Sequence, residues 1–369
     1  MKAFTPALRS IIFVSLTTTL HAQDPVLSTP GTATWTTEST GAGNTRTVFT
    51  LTNNTVLDWQ QLNVKSGSEL VFNFVGGKSV VNFLNGTGTH LINGSVTSNG
   101  IVAFFSPNAD LRVNGSIIAK GVTLSTLKAD AADFSDGNGY ELHGTGGNNF
   151  LRVNGRVEAT DGDVVIAGEQ VIVGSAGRIK ASQSALIGGG THISIGTSGD
   201  RKLKENSGLG YVLHKGETRG SRIEVAAGKD ISNSGRLDSG SGRIFLEVGE
   251  GGLITNEPEG IIVGDAAFDG SLIQNGLILV PNEGDAIPAV GEASFTLPKL
   301  TRPNGTKVNK EPQALKYSVP MSASSDAGRD SSGAQRADQR VAQNTNSTSL
   351  LQRSSFFGMR GGNTTVAKR

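Results

Sequence analysis

Histidine is the first residue type to consider for chemistry in this chain, because the sequence contains no cysteine and so no thiol nucleophile or thiolate metal ligand. Imidazole is both a common metal ligand and a common general base. The five histidines are widely separated, at His21, His90, His143, His192 and His214. None has the spacing of a His-x-x-x-His metal motif. His143 stands out most, yet the pattern predicts neither a catalytic residue nor a metal site.

Aspartates form two local groups that could act as general acid and base. The first is Asp130, Asp133 and Asp136, and the second is Asp161 with Asp163. Cleavage of a glycosidic bond needs carboxylates that flank the substrate. The first group lies in a polar segment and the second in a turn, where aspartate commonly forms local hydrogen bonds. Turn formation is the better interpretation of both groups. A β-helical polysaccharide lyase or hydrolase is the alternative function for the chain.

Glycine clusters are a third candidate feature, since Gly-rich loops that precede helices bind phosphate groups. Such clusters occur at residues 144–147 and 188–190, but neither is followed by an amphipathic helix. We therefore predict no cofactor. The formal net charge of the chain is only +1, which indicates no nucleic-acid partner.

The elements that would position these residues are short strands. Between residues 44 and 290, runs of Val, Ile, Leu and Phe are interrupted every few residues by Asn-Gly, Ser-Gly, Gly-Gly or Asp-Gly. β-branched runs bounded by turn residues predict strands. No stretch keeps the apolar period of 3.6 residues over the length of a helix. The sequence therefore predicts an all-β protein.

The strand segments also repeat. Residues 113–117 (VNGSI) recur as residues 153–157 (VNGRV), and looser copies follow at 231–237 and 273–278. Self-similarity at a spacing of about 20 residues is typical of a solenoid. We predict a single-stranded, right-handed parallel β-helix of about a dozen turns, in preference to a β-sandwich, which needs no repeated unit.

The corners of such a helix explain the glycine and asparagine content. We expect glycine there because the corners demand positive φ, and we expect asparagines to form hydrogen-bonded ladders between turns. Residues 128–149 and 198–220 break the rhythm and are predicted to leave the coil. Loops on a rigid scaffold are where binding is expected.

Four segments between residues 54 and 127 form an ordered series: residues 54–64 (NTVLDWQQLNV), 79–84 (SVVNFL), 94–109 (GSVTSNGIVAFFSPNA) and 122–127 (VTLSTL). In sequence and order they resemble the motifs of the N-terminal secretion domain of filamentous haemagglutinin-type exoproteins. Ser106 and Ala109 depart from the family, which has Asn and Gly at these two positions. The resemblance assigns the secretion motif to nine residues: Asn54, Asp58, Trp59, Asn63, Asn99, Gly100, Ser106, Pro107 and Asn108.

The resemblance implies a secreted or cell-surface protein with a structural or adhesin-like role and no enzymatic activity. It implies export from the periplasm by an outer-membrane two-partner secretion transporter, whose periplasmic domains bind the unfolded N-terminal domain. Surface glycans or cell-surface receptors would be the partners of an adhesin. Folding outside the cell would then help to drive export.

We expect five parts along the chain. Residues 1–22 carry a basic start and an apolar stretch and are predicted to be a signal peptide. A lead-in (23–43), the domain that resembles the secretion domain (44–127) and the continuing β-helix (128–290) follow. Residues 291–369 are predicted to be a disordered polar and basic tail. Residues 301–369 have eleven Lys/Arg against four Asp/Glu.

Overall fold

The protein is a parallel β-helix in the computed structural model, which describes residues 24–28, 31–129, 139–197, 199 and 201–280, and the backbone of two short strands, Phe295–Thr296 and Lys316–Tyr317. These residues form strands and no helix, so none forms a helix that could span a membrane. The predicted all-β solenoid is confirmed. The predicted signal peptide, most of the predicted tail and residues Asp130, Asp133 and Asp136 lie outside the described residues.

Each turn of the column contributes one strand to each of three parallel sheets, which we call face 1, face 2 and face 3 in chain order. Face 1 contains Asn44–Leu51, Glu69–Phe74, Ser95–Ser98, Ser116–Ala119, Arg156–Ala159, Arg178–Ala181, Glu217–Arg219, the first part of Arg236–Val248, the first part of Ile261–Asp269 and Leu277–Leu279.

Face 2 contains Thr55–Trp59, Ser79–Leu84, Ile101–Phe105, Gly121–Ser125, Val164–Gly168, Ser184–Gly189, Arg222–Ala227 and the second parts of the two long strands. Face 3 contains Asn63–Val64, His90–Ile92, Leu111–Val113, Phe150–Val153, Gln170–Val173, Tyr211–His214, Asp230–Asn233, Leu253–Asn256 and Ser271–Gln274.

The described column therefore has nine complete turns and the first strand of a tenth, since face 3 has nine strands and face 1 continues for one more. The predicted dozen was slightly too many because two excursions consume residues without adding turns. Alternate side chains of each strand point into the column, where one continuous aliphatic core runs along its length. The N-terminal turns add a run of buried rings, with Phe49 and Phe72 at 5.3 Å and Phe72 and Phe104 at 6.4 Å between centroids.

Antiparallel strands cap the N-terminal end of the column. Ala33–Gly41 forms a hairpin with Asn44–Leu51 on face 1, and Val26–Leu27 pairs with Thr55–Trp59 on face 2. An uncapped parallel stack would expose a row of unpaired backbone groups to other chains. The cap was not anticipated in the segment that the sequence marks only as a lead-in.

Glycines stack at the corner between face 3 and face 1, and none of them has positive φ. A Cβ on any of them would lie between 1.9 and 2.5 Å from a backbone carbonyl oxygen of the preceding turn; the stack comprises Gly94, Gly115, Gly155, Gly177, Gly216, Gly235, Gly260 and Gly276. The predicted reason for glycine was therefore wrong at this corner, where close backbone approach excludes a side chain. Positive φ does occur at other turns, for example at Gly67 (81°) and Gly77 (75°).

Amide ladders join successive turns, as predicted. On the surface of the same corner, Asn114 donates to the Oδ1 of Asn93 at 2.7 Å, and Asn154 donates to that of Asn114 at 3.0 Å. A second ladder lies inside the column, where Asn233 donates to the Oδ1 of Asn256 at 2.7 Å. Each bond satisfies a polar group against the neighbouring turn, so the ladders favour one register of stacking.

The two predicted excursions meet on the outside of face 2. Their strands, Tyr140–His143, His192–Ile195 and Leu203–Glu205, form an antiparallel sheet that we call the outer sheet. The second excursion lies between Ser184–Gly189 and Tyr211–His214, so it begins and ends earlier than the predicted 198–220. Leu142, Ile193 and Leu203 pack onto outward-facing side chains of face 2, including Ala103 and Phe105. The middle strands of face 2 are consequently buried on both sides.

Three carboxylates fasten the excursions to the column: Glu224 and Glu169 are buried, and Asp163 is partly exposed. Glu224 accepts hydrogen bonds from the backbone N–H groups of Lys202 and Leu203, the latter at 2.7 Å. Glu169 accepts from the N–H groups of Gly146 and Asn148 at 3.1 and 2.7 Å. Asp163 bonds to Lys202 Nζ at 2.9 Å and to the N–H of Ser184 at 2.8 Å. Carboxylates that accept several N–H bonds hold loops firmly.

Candidate functional site

The residues of the predicted secretion motif lie in the first three turns of the column. Asn54 and Asn99 sit at corners, where their side chains bond to neighbouring turns. Asn54 Oδ1 accepts from the N–H of Lys78 at 2.8 Å, while Asn99 accepts from the N–H of Phe74 at 2.7 Å and donates to its carbonyl at 3.0 Å. In the folded protein, both side-chain amides therefore join neighbouring turns by hydrogen bonds.

Trp59 is buried and joins a polar chain inside the core. Its indole N–H donates to Asn82 Oδ1 at 2.9 Å, and Asn82 Nδ2 donates to the carbonyl of Ala103 at 3.0 Å. Asn82 is fully buried, so each polar group needs such a partner. The Trp59 ring also packs edge-on against Phe49 at 5.9 Å. These contacts link the first three turns.

Asp58 ties the N-terminal cap to the second turn. Its carboxylate accepts from Ser28 Oγ at 2.5 Å and from Asn85 Nδ2 at 3.1 Å. Asn63 borders a cavity of about 470 Å³ at the capped end of the column, together with Trp35, Trp59, Lys65 and Glu69. Asp58 and Asn63 thus lie at the end of the column where the chain begins to coil.

The remaining motif residues flank the third strand of face 2, with Gly100 before it and Ser106, Pro107 and Asn108 at the corner after it. Gly100 has no room for a side chain, because a Cβ would lie 2.5 Å from the Phe74 ring. Ser106 is buried and donates to the carbonyl of Ala109 at 2.7 Å. The Pro107 carbonyl accepts from Thr145 Oγ1 at 2.7 Å and from Asn149 Nδ2 at 2.9 Å, whereas Asn108 is exposed. The motif therefore also anchors the first excursion, a contact that the sequence did not indicate.

Two of the described histidines are buried in the column. His90 Nδ1 accepts from the N–H of Leu62 at 3.1 Å, and burial lowers the pKa of His90 against the opposing effect of the Gly86 carbonyl. His214 lies at the end of the inner amide ladder, 2.8 Å from Asn233 Oδ1 and 2.9 Å from Thr218 Oγ1. Burial lowers the pKa of His214 to about 4, although the bond to Asn233 opposes this shift. Both rings are structural groups.

The carboxylates of Asp163 and Glu158 both accept hydrogen bonds from other groups of the protein. Glu158 on face 1 bonds to Lys180 Nζ at 2.9 Å and to Arg156. These hydrogen bonds, that of Lys180 above all, lower the pKa of Glu158 despite its partial desolvation. Asp163 holds the outer sheet, as described above, so the interpretation of this aspartate as a structural residue fits its contacts.

His143 and His192 are brought together on the outer sheet, although they are far apart in sequence. They stand directly opposite each other on paired antiparallel strands, and Glu141 lies on the same surface. No short motif marks this group. The signal available in the sequence was weaker: alternation of apolar and polar residues in each excursion, which could have indicated a strand in each.

Comparison with known proteins agrees with the fold. The secretion domain of HMW1 from Haemophilus influenzae matches with a TM-score of 0.50 and 19% identity, over 69% of this chain and 73% of that one. The filamentous hemagglutinin secretion domain aligns with a TM-score of 0.37 and 12% identity, over 69% of this chain and 99% of that one. No family model and no curated protein sequence matches.

The match to the HMW1 secretion domain establishes the fold as a parallel β-helix of the kind that secretion domains use. The resemblance inferred from residues 54–127 is thus confirmed at the level of the fold.

Proposed function

We propose that this chain is a secreted or cell-surface exoprotein of the filamentous haemagglutinin type, exported by a two-partner secretion transporter of the outer membrane. One observation carries the proposal. Four motif segments follow one another in the family's order within the first turns of a capped column, and that column has the fold of the HMW1 secretion domain. The role outside the cell is structural or adhesin-like, with surface glycans or cell-surface receptors as partners.

The burial of the motif supports recognition before folding. Trp59, Gly100 and Ser106 are buried in the folded protein, and Asn54 and Asn99 use their amides between turns. Periplasmic domains of a transporter would therefore reach Trp59, Gly100 and Ser106 only in the unfolded chain. Once the chain is outside, the same groups hold the first turns together. The motif would thus serve recognition first and nucleation afterwards.

Folding of the column would supply free energy for this export route. Each added turn closes a row of backbone hydrogen bonds on three faces and buries further aliphatic side chains against the turn before. A chain without cysteine cannot be locked by disulfides in the oxidising periplasm. Folding by successive turns could therefore follow emergence of the chain, and its free energy would oppose backward movement.

Deleting residues 54–127 is expected to abolish delivery to the cell surface. The experiment uses the bacterium that encodes the chain, with an epitope on the protein, and measures protease accessibility of that epitope in intact cells. A matched variant lacks residues 211–280, which removes a similar length from the C-terminal turns. We expect the first variant to stay in the cell and the second to reach the surface.

Unchanged delivery of the first variant would contradict the proposal, as would equal loss in both variants. The proposal assigns the chain no catalytic activity. Release of unsaturated or reducing sugars from polysaccharide by the purified protein would favour the carbohydrate-active enzyme instead.

A further inference from the structure

The outer sheet presents three metal-ligating side chains on its solvent side. Glu141 and His143 come from the first excursion and His192 from the second, 51 residues from Glu141 along the chain. One ligand atom of each lies within 4.8 Å of the other two. Among the residues that the structure describes, this is the one group of three such side chains with that proximity.

The strand register produces this geometry. His143 is paired directly with His192, and Glu141 is paired with Ser194, so the three ligands occupy neighbouring positions on one surface of an antiparallel pair. Cross-strand neighbours of this kind lie about 5 Å apart at Cβ. The imidazole rings stack with centroids 4.6 Å apart, and His192 Nε2 lies 2.6 Å from Glu141 Oε2. The ligands therefore converge without a change in backbone.

The sheet that carries the ligands is rigidly supported. Leu142 and Ile193, which alternate with the ligands along the two strands, are fully buried against face 2. Glu224 fastens the third strand of the sheet to the column from behind. A site built on fixed strands holds its ligands more accurately than one built on a free loop.

Outer hydrogen bonds orient the carboxylate, as is typical of metal sites. Ser194 Oγ donates to Glu141 at 2.8 Å, and Asn206 Nδ2 donates to Ser194 Oγ at 2.7 Å. The carboxylate of Glu141 is therefore held in a fixed orientation beside the imidazole of His192.

We propose that Glu141, His143 and His192 form a binding site for a divalent transition-metal ion, with Zn²⁺ as the preferred ion. Two imidazoles and one carboxylate are a common protein ligand set for zinc, with water in the fourth position. Glu141 and His192 are 49% and 41% exposed, so water can complete the coordination. This proposal is independent of the proposed export route.

Because of where the site lies, a bound ion would join the two excursions to each other. The first excursion leaves the column after the fourth strand of face 2 and the second after the sixth, so one ion would clamp two separate insertions. Bound metal stabilises the folded state by mass action. The outer sheet, which covers the apolar outer side of face 2, would then open less often.

Titration of the untagged full chain with Zn²⁺ in a calorimeter tests the proposal. We expect one ion per chain, and a visible absorption spectrum of tetrahedral or five-coordinate Co²⁺ when cobalt replaces zinc. His192→Ala and Glu141→Gln should each weaken binding by about 100-fold or more. Lys204→Ala, which removes an exposed side chain from the same sheet, should bind Zn²⁺ like the unmodified protein.

Circular dichroism distinguishes loss of a ligand from loss of the fold, and we expect the spectra of all four proteins to coincide. Added Zn²⁺ should also slow proteolysis of the excursions in the unmodified protein and in Lys204→Ala, but not in His192→Ala. The proposal is overturned if the unmodified chain binds no Zn²⁺, or if His192→Ala and Glu141→Gln bind it as well as Lys204→Ala does.

Discussion

Replacing Gly115 with alanine is expected to lower the free energy of unfolding by about 3 kcal/mol, the upper range for overpacking. A Cβ on Gly115 would lie 1.9 Å from the carbonyl oxygen of Gly94 in the preceding turn. That oxygen also accepts the backbone N–H of Ser116 at 3.0 Å, so it cannot move away without breaking the bond between turns. Urea unfolding followed by circular dichroism measures the change.

Gly121→Ala is the matched control from the same turn. The nearest atom to a Cβ on Gly121 is a side-chain carbon of Ile101 at 3.4 Å, and its φ is not positive. We expect this substitution to change the free energy of unfolding by less than about 0.5 kcal/mol. Equal destabilisation by the two substitutions would show that the corner does not exclude a side chain by close backbone approach.

Acidification from pH 6.5 to about pH 4 should destabilise the folded column by about 3 kcal/mol through His214 alone. The pKa of this imidazole is about 4 in the folded protein, compared with about 6.5 for an unperturbed histidine. Between these two pH values the unfolded chain binds more protons than the folded one, so stability is full above pH 6.5 and falls as the pH decreases. Burial of His90 acts in the same direction.

The network around His214 explains why protonation is unfavourable. Asn233 uses its amide N–H for Asn256, so its Oδ1 accepts a hydrogen bond from the Nδ1–H group of His214. Nε2 then accepts from the buried hydroxyl of Thr218. Adding a proton to Nε2 would place two donors together unless Thr218 reorients, and it would bury a charge.

His214→Asn removes the titrating group and keeps an amide in line with Asn233 and Asn256. Urea unfolding at several pH values should show a shallower loss of stability below pH 6.5 for this variant than for the unmodified protein. An unchanged pH dependence would mean that His214 does not control the acid sensitivity of the column.

Much of the column could be predicted from local sequence, because its unit is short and repeated. The match between residues 113–117 and 153–157 places an apolar residue, an asparagine, a glycine and a second apolar residue at equivalent points of two turns. These are the positions that the structure uses for the core, the outer ladder and the glycine stack. Alternation within a strand and spacing between turns are sufficient for this inference.

The physical reason for the glycine stack could not be read from composition. Glycine is suited both to positive φ and to close backbone approach. At Gly115 and Gly155 the reason is close approach, because the carbonyl oxygen of the preceding stacked glycine lies 1.9 Å from the position of a Cβ.

The outer sheet could not be predicted because its strands come from two insertions that share no repeat. His143 and His192 meet through antiparallel pairing across two turns of the column, and neither neighbourhood carries a metal motif. Long-range pairing of this kind depends on where each insertion leaves the coil. The N-terminal cap was missed for a related reason, since strand Ala33–Gly41 runs antiparallel to the repeat that it covers.

Distances between spin labels on face 3 test the stacked column most directly. Arg112 shares one register position with Ser232, Thr255 and Ile273, which lie four, five and six strands further along face 3. The chain has no native cysteine that would compete for the label. A cysteine at Arg112 is paired with a cysteine at each of the other three sites, and the distances are measured by double electron–electron resonance.

The stacked column predicts separations near 19, 24 and 29 Å for these pairs, because each turn adds about 4.8 Å along the axis. The differences between the three distances are decisive, because the length of the label affects all three distances alike. Three distances that rise in equal steps of this size would support parallel stacking of the turns. Distances that fail to increase from Ser232 through Thr255 to Ile273 would contradict it.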